Sequence, residues 1–232
     1  MSKTILTRSI LDDHKSAKKK EAISFVVMGL FCVGLFALRV YTSGTYFFAF
    51  LLWNLFLAAI PWMISTTLLL WPRLRKTKVL SVPLILIWVL FFPNAPYIVT
   101  DLFHLTMRGS MPIWFDLVLI LSFAWVGLLF GFSSMRDVAS MCAERMRNWV
   151  INLLIVGFLF LSSFGIYIGR YLRWNSWDII SRPEALLSDL VDIATQPMSH
   201  LRAWGMTLLL GTLLNVIYWT ITPVRGERPI SD

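Results

Sequence analysis

The chain has 232 residues, of which 57% are hydrophobic and only 15% are charged, and its formal net charge is +8. Apolar stretches of about 20 residues, long enough to cross the hydrocarbon core of a bilayer, recur along the whole sequence. The basic residues lie in short clusters between these stretches, which is typical of membrane topology signals and not of a nucleic-acid-binding surface. The composition therefore excludes a soluble domain. It predicts an all-α integral membrane bundle with the lipid bilayer, and no nucleic acid, as its partner.

Six transmembrane helices are predicted in chain order, between a basic N-terminal segment at 1–21 and a tail at 223–232. The third helix is expected to break at 93–96, and the last outer loop is expected to contain a short amphipathic helix. The six helices are predicted at 22–41, 46–71, 79–105, 113–135, 149–172 and 200–222.

The third helix is interrupted by the sequence Pro93-Asn94-Ala95-Pro96. From Val79 to Phe92 a helix is about 21 Å long, which is shorter than the hydrocarbon core of roughly 30 Å. The break is therefore expected in the outer third of the membrane or just below its surface. Because two prolines leave backbone carbonyls unpaired, two interpretations stay open: Asn94 satisfies them locally, or the broken helix lines a solute or ion path.

Lys and Arg are distributed unevenly between the two sides of the predicted bundle. Fifteen of the 21 lie on the N-terminal side, in segments 1–21, 72–78, 136–148 and 223–232. Three lie on the opposite side, in segments 101–112 and 173–199, and none in 42–45. The positive-inside rule then predicts that both termini are cytoplasmic. Arg39, near the end of the first helix, is expected to reach the interface as an anchor.

The outer segment 173–199 contains helix signals. Ser181-Arg182-Pro183-Glu184 matches a capping box with proline in the first turn. An apolar face follows at i, i+3, i+4 and i+7, formed by Leu187, Leu190, Val191 and Ala194. This pattern predicts a short amphipathic helix that lies on the outer surface or covers the bundle.

Ionisable side chains gather near the predicted outer boundary. Tyr97, Asp101, His104 and Arg108 share one face of a helix that follows the break. Asp116 needs a partner in the membrane, and Arg170 at similar depth is the expected one.

Together these groups predict a polar pocket that opens outward. Arg170 and Arg173 would hold an anionic group such as a lipid phosphate or a small carboxylate, between Trp174 and Trp177. The candidate ligand-binding residues are Asn94, Tyr97, Asp101, His104, Asp116, Tyr167, Arg170, Arg173, Trp174, Asn175, Trp177 and Asp178.

Three interpretations of this cluster stay open. It is a set of interhelical salt bridges that fixes the bundle, a binding or transport site, or a catalytic site in which Asp101 orients His104 as a general base. A metal site formed by Asp101, His104 and Asp116 is a weaker hypothesis, because these helices hold no second histidine. We therefore expect no metal and no cofactor. Gly127-x3-Gly131 predicts close helix packing inside the bundle or a homo-oligomer contact.

Three sequence strings resemble a known family. They are FFPNAPYIVTDLFHL (91–105), PIWFDLVLILSFAWVGLLFGF (112–132) and GIYIGRYLRWNSWD (165–178). On the basis of these strings, residues 45–220 resemble the bacterial multi-pass membrane proteins grouped as domain of unknown function 1361. The resemblance implies a bacterial cytoplasmic-membrane location and supplies no activity. We expect a protein that binds or transports a polar or anionic ligand. The alternatives are an enzyme acting on a lipid-linked substrate and a structural or assembly partner of other membrane proteins.

Overall fold

The computed structural model describes the backbone of residues 2–105 and 111–222, and the side chains of these ranges from Asp13 onward. Arg108 and the tail at 223–232 lie outside the described residues. The described chain is helical, with no strand. In order, its helices are α1 (Ser2–Ser43), α2 (Ala49–Leu70), α3 (Pro72–Lys76), α4 (Lys78–Phe91), α5 (Asn94–Tyr97), a 3₁₀ helix (Ile98–His104), α6 (Ile113–Cys142), α7 (Asn148–Tyr171), α8 (Asp178–Ser181), α9 (Pro183–Thr195) and α10 (Leu201–Ile221).

Six described segments are long and apolar enough to cross a membrane. They are Asp13–Ser43, Ala49–Leu70, Lys78–His104, Ile113–Cys142, Asn148–Tyr171 and Leu201–Ile221. The predicted all-α architecture with six spanning helices is therefore confirmed, and the chain is a multi-pass membrane protein. The predicted N-terminal segment is, from Ser2 onward, the first part of α1.

The helix α6 is the centre of the bundle. In its most apolar window 56% of the residues are buried, compared with 17–33% in the other five spanning segments. It packs against α2, α1, α5 and the 3₁₀ helix, which together form the larger part of the bundle. The smaller part is the pair α7 and α10, which pack closely on each other and contact the rest mainly through α5 and α6.

The chain after the proline break departs from the predicted α-helical stripe. Residues Ile98–His104 form a 3₁₀ helix, in which the repeat is three residues per turn. Asp101 and His104 are therefore one turn apart, but the α-helical spacing predicted from Tyr97 to His104 does not apply. The prediction of one α-helical face from Tyr97 onward was wrong.

The amphipathic helix in the last loop is present as α9, but the prediction of its capping box was wrong. Its N-cap is Arg182, without a side-chain cap, and the Ser181 hydroxyl donates instead to Asp178 Oδ1 at 3.1 Å. Of the predicted apolar face, Leu187 and Val191 are exposed on the surface of the protein, and Ile193 is the residue of α9 that is buried.

Candidate functional site

At the break in the third spanning segment, protein side chains donate hydrogen bonds to backbone carbonyls that precede it. Pro93 and Pro96 have no N–H to donate, and the carbonyls one turn earlier need other donors. The Asn94 side-chain amide donates to the Phe91 carbonyl at 3.0 Å, and the Ser176 hydroxyl donates to the Leu90 carbonyl at 3.3 Å. The local role predicted for Asn94 is confirmed. The second donor comes from the loop after α7, so this loop is tied to the break.

Glycines on two neighbouring helices make room for the break. A Cβ at Gly127 would lie 2.9 Å from the Ala95 carbonyl oxygen, and one at Gly131 would lie 2.9 Å from Ala95 Cβ. On the other side, a Cβ at Gly165 would lie 3.3 Å from the Pro93 ring. The Gly127-x3-Gly131 motif therefore packs inside the bundle, where α6 and α7 approach the broken segment from two sides.

Arg170, near the end of α7, binds the 3₁₀ helix through its guanidinium group. It donates to Asp101 Oδ1 at 3.1 Å, to the Thr100 carbonyl at 2.9 Å and to the Tyr97 hydroxyl at 3.3 Å. Asn54 of α2 donates to the other carboxylate oxygen of Asp101 at 2.8 Å. Asp101 is fully buried. The partner of Arg170 is therefore Asp101, and the predicted Arg170–Asp116 pair was wrong.

Asp116 pairs with Arg39 of α1 instead. Arg39 Nε lies 2.6 Å from Asp116 Oδ1, and Arg39 Nη2 lies 3.3 Å from Oδ2, so the guanidinium group binds both carboxylate oxygens. Both side chains are almost fully buried, and the guanidinium carbon lies 5.6 Å from the centre of the Phe48 ring. The prediction that Arg39 is an interfacial anchor was wrong, because α1 packs against α6 at this level.

The loop after α7 is organised by Asp178. Its carboxylate accepts from the Asn175 backbone N–H at 2.8 Å and from the Ser181 hydroxyl. The pKa of Asp178 is lowered below its ordinary value, chiefly because of the hydrogen bond from the Asn175 backbone. Asp178 is buried, and Arg182 lies 3.3 Å from it. Through these hydrogen bonds the Asp178 carboxylate stabilises the conformation of the loop after α7.

Trp174 is held in a fixed position between the loop and α9. Its indole N–H donates to Asp189 at 2.8 Å, and the guanidinium group of Arg182 lies 4.8 Å from its ring centre. Arg173, the preceding residue, is exposed and has a φ of 60°. The backbone therefore turns sharply at Arg173 and directs the two neighbouring side chains differently.

A cavity of about 430 Å³ lies between α2, α4 and α5 on one side and α7 and α9 on the other. The part of its wall farthest from the loop after α7 is apolar and includes Leu57, Val89, Phe158 and Leu161. The other end of the wall carries amide, hydroxyl and indole groups, at Asn94, Tyr97, Trp174, Asn175, Ser176 and Trp177. From Phe158 to Gly169 the wall extends about 16 Å along α7, and the loop that carries Trp174 to Trp177 follows at the Gly169 end.

The side of the cavity that adjoins the bilayer is incompletely closed. Trp53 and Leu161 line it, and more than half of each side chain is exposed on the outer surface of the bundle. These two residues belong to α2 and α7, which lie on opposite walls. The cavity is therefore bordered by residues that also face the position of the lipid.

A comparison with protein-family models identifies the family. The model described as "Protein of unknown function (DUF1361)" matches residues 53–217, more than two thirds of the chain. The chain belongs to the DUF1361 family. The resemblance predicted from the three sequence strings is confirmed. No curated protein and no solved structure was found to match.

All residues that line the cavity lie within the part matched by the DUF1361 model, from Trp53 to Leu190. Five of the twelve predicted ligand-binding residues are among them: Asn94, Tyr97, Trp174, Asn175 and Trp177. Asp101 and Arg170 lie directly behind this wall, because Asn54 and Tyr97 contact them and also line the cavity.

The remaining predicted residues lie elsewhere. His104 packs against the ring of Phe50 with centres 5.0 Å apart, and it is not part of the cavity wall. Tyr167 is buried and stacks on Tyr171 at 5.2 Å. Asp116, Arg173 and Asp178 also lie off the wall. Among the described residues, no three His, Cys, Asp or Glu side chains come together as a metal site.

Sequence reasoning missed one buried polar cluster at the opposite end of the bundle, which we call the Lys18 cluster. The Lys18 ammonium group lies 2.7 Å from Asp137, 2.5 Å from Glu21 and 3.2 Å from the Ser133 hydroxyl. Ser65 of α2 donates to Asp137 at 2.8 Å. A helical period within the basic N-terminal segment is the signal that indicates it, since Lys18 and Glu21 are separated by three residues.

Proposed function

We propose that this protein binds a single amphipathic molecule, a membrane lipid or lipid-linked compound, in the cavity between α2 and α7. One observation supports the proposal: the cavity wall is apolar at the end farthest from the loop after α7, and it carries amide, hydroxyl and indole groups at the end near this loop. A lipid of the adjacent leaflet has the same polarity along its length. The volume of about 430 Å³ lies within the range of ligand sites in proteins.

We further propose that the membrane is the bacterial cytoplasmic membrane, with both termini in the cytoplasm and the cavity toward the outer leaflet. The charge distribution supports this orientation, because the basic clusters lie at the end of the bundle opposite to the cavity. The exposed side chains of Trp53 and Leu161 support lateral entry of the ligand from the bilayer.

The anionic ligand expected from the sequence needs a basic side chain that is available to it. Arg170 is engaged with Asp101 and the Thr100 carbonyl. None of the described residues that line the cavity carries a formal charge. A polar but uncharged contact region therefore agrees better with this wall than a phosphate or carboxylate site.

Retention of lipid during purification tests the proposed function. Leu161→Trp places a larger side chain on the cavity wall, and Leu153→Trp places the same ring on a similarly exposed part of α7 outside the wall. Native mass spectrometry of the full chain in detergent is expected to show about tenfold weaker lipid retention in Leu161→Trp than in wild type. Leu153→Trp is expected to retain lipid as wild type does. Equal retention in both variants would contradict the proposal.

A structural or assembly role is a second candidate, and the two closed ion pairs favour it. Arg39–Asp116 and Arg170–Asp101 join α1 to α6 and α7 to the 3₁₀ helix. In that case neither tryptophan variant changes lipid retention, and removal of the protein from the cell lowers the amount of a partner membrane protein.

A further inference from the structure

We propose that the polar end of the cavity recognises a neutral, hydroxyl-rich head group, of the kind carried by a glycolipid. This inference rests on the proposed function and specifies the chemical class of its ligand. It is carried by three properties of the wall: the charges available to a ligand, its hydrogen-bonding groups and its aromatic rings.

Arg170 and Arg182, which contact residues of the cavity wall, are already paired with acidic groups of the protein, and Arg173 lies off the wall. Arg170 lies behind the wall in contact with Asp101, and Arg182 lies over Trp174 and 3.3 Å from Asp178. A phosphate or carboxylate that leaves water needs a cationic partner, since an unpaired buried charge is strongly unfavourable. A head group without charge avoids this requirement.

The polar groups of the wall match hydroxyl groups. Asn94 and Asn175 carry amides, and Tyr97, Ser162 and Ser176 carry hydroxyls. The two amides and the two serine hydroxyls each already donate a hydrogen bond inside the protein, and all five side chains also have acceptor atoms. A sugar hydroxyl also donates and accepts, so one ring with several hydroxyls satisfies several of these side chains at once. A head group with a single hydroxyl, as in diacylglycerol, would leave most of them without a ligand partner.

The aromatic rings provide flat apolar surfaces beside these polar groups. Trp177 lines the cavity with about half of its side chain exposed. Trp174 is held by its hydrogen bond to Asp189 and by Arg182 before any ligand arrives. The C–H faces of a sugar ring pack on such surfaces, and a wall that is ordered in advance loses little conformational entropy on binding.

The test uses the full chain in detergent and native mass spectrometry with separate additions of monoglucosyl diacylglycerol, phosphatidylglycerol, phosphatidylethanolamine and diacylglycerol of identical acyl chains. We expect the glucosyl lipid to bind at least about tenfold more tightly than each of the other three lipids. Methyl glucoside without acyl chains is expected to bind far more weakly than the glucosyl lipid. These two results together support a neutral sugar that is attached to a lipid.

Substitution of Trp177 tests the position of the head group. Trp177→Leu is expected to reduce binding of the glucosyl lipid to the level of diacylglycerol. Trp125→Leu is the matched control, because Trp125 is exposed to a similar extent on α6 and lies outside the cavity wall. Trp177→Phe keeps an aromatic ring and is expected to retain most of the preference, which makes the result independent of any folding defect in Trp177→Leu.

Each contrary result overturns a defined part of the reasoning. Equal or tighter binding of phosphatidylglycerol or phosphatidylethanolamine overturns the neutral head group and leaves the proposed function standing, and so does equal binding of diacylglycerol. Equal binding of methyl glucoside overturns the requirement for a lipid. Equal lipid retention in the Leu161→Trp and Leu153→Trp variants overturns the proposed function together with this inference.

Discussion

At the scale of single residues, Arg39 and Arg170, at the same end of the bundle, each have a carboxylate partner. Arg170 also illustrates why the residue type matters. Its donors are directed at the Asp101 carboxylate, the Thr100 carbonyl and the Tyr97 hydroxyl, which lie in different directions. The fixed fork of a guanidinium group reaches all three acceptors, whereas an ammonium group acts as a single point charge. The side chain therefore fixes the position of the 3₁₀ helix against α7.

Arg170→Ala is expected to destabilise the protein because it leaves the fully buried Asp101 with Asn54 as its remaining partner. Removing one partner of a buried ion pair costs about 3–5 kcal/mol. Thermal unfolding in detergent, followed by tryptophan fluorescence, measures the effect. Arg173→Ala is the control, since Arg173 is exposed and its removal is expected to change stability by less than about 0.5 kcal/mol.

The double variant Arg170→Met/Asp101→Leu separates a structural role from a ligand role. It removes both charges and is expected to recover most of the lost stability, because paired apolar replacements of buried ion pairs are often neutral or stabilising. An Arg170→Ala protein that unfolds at the same temperature as Arg173→Ala but retains no lipid would show that Arg170 serves the ligand instead.

The residue scale also shows where prediction from the sequence ends. Arg39, Asp116 and Arg170 were all assigned to the outer end of the bundle, and depth along a helix follows from counting residues. Depth does not identify which helix is the neighbour. In the structure α1 packs on α6 at the level of Asp116, so Arg39 is the partner that reaches it. Choosing between two arginines of similar depth required the packing of the helices.

At the scale of elements, the proline break depends on the helices around it. The motif Pro93-Asn94-Ala95-Pro96 and the glycine motif of α6 were both recognised in the sequence, but as separate features. Their contact joins them: Ala95 occupies the space left by Gly127 and Gly131. A helix-contact motif specifies a close approach without naming the segment that approaches. Sequence periodicity therefore could not show that the two motifs contact each other.

Gly131→Ala is expected to destabilise the protein by about 1–3 kcal/mol, because the new methyl group would lie 2.9 Å from Ala95 Cβ and must displace the break or α6. Gly157→Ala is the matched control on α7, where a Cβ meets no atom within 4 Å. That variant is expected to be neutral or stabilising by up to about 1 kcal/mol, as for alanine in place of glycine within a helix. Equal effects in the two variants would show that the contact with Ala95 is unimportant.

The Lys18 cluster fixes the other end of α1. The N-terminal segment 1–21 was predicted as a basic segment that precedes the first helix. As a continuation of α1 it has one face that packs on α2 and α6, and Lys18 is on that face while Lys19 and Lys20 are exposed. The run of lysines at 18–20 therefore contains one buried side chain, that of Lys18. It is recognised only when the first helix is extended to include this segment.

Lys18→Met is expected to lower stability by about 3–5 kcal/mol, because Asp137 and Glu21 would be left close together without the ammonium group between them. Lys19→Met serves as the control, since it removes the same charge from an exposed position of the same helix. Chemical denaturation in mild detergent gives the difference between the two variants. A Lys18→Met protein as stable as Lys19→Met would show that the cluster does not contribute to the fold.

At the scale of the whole molecule, the number of spanning helices followed from the sequence because each helix must satisfy its own backbone in the bilayer. A long apolar segment is then sufficient to indicate a helix. The grouping of the helices into a larger part around α6 and a smaller pair, α7 and α10, did not follow, because apolar faces of similar composition pack in many arrangements. The cavity lies between these two parts, and for this reason the sequence predicted a polar pocket without the apolar part of its wall.

Reporter fusions test the proposed orientation. Green fluorescent protein fused to the C-terminus is expected to fluoresce, and alkaline phosphatase at the same position is expected to be inactive, because the excess of basic residues holds this side in the cytoplasm. Alkaline phosphatase inserted after Gln196, between α9 and α10, is expected to be active. The reverse pattern of activities would invert the bundle and place the cavity toward the cytoplasmic leaflet.

Two side chains serve both the cavity and the ion pair behind it. Asn54 and Tyr97 line the cavity on one side. On the other side they make hydrogen bonds to Asp101 and Arg170, respectively. A smaller side chain at either position would enlarge the cavity but would remove a hydrogen bond to the ion pair. A larger cavity would therefore come with a less stable fold at these two positions. Leu57 and Leu161 border the same compartment without touching the charges, and a change of ligand size is most easily accommodated at these two leucines.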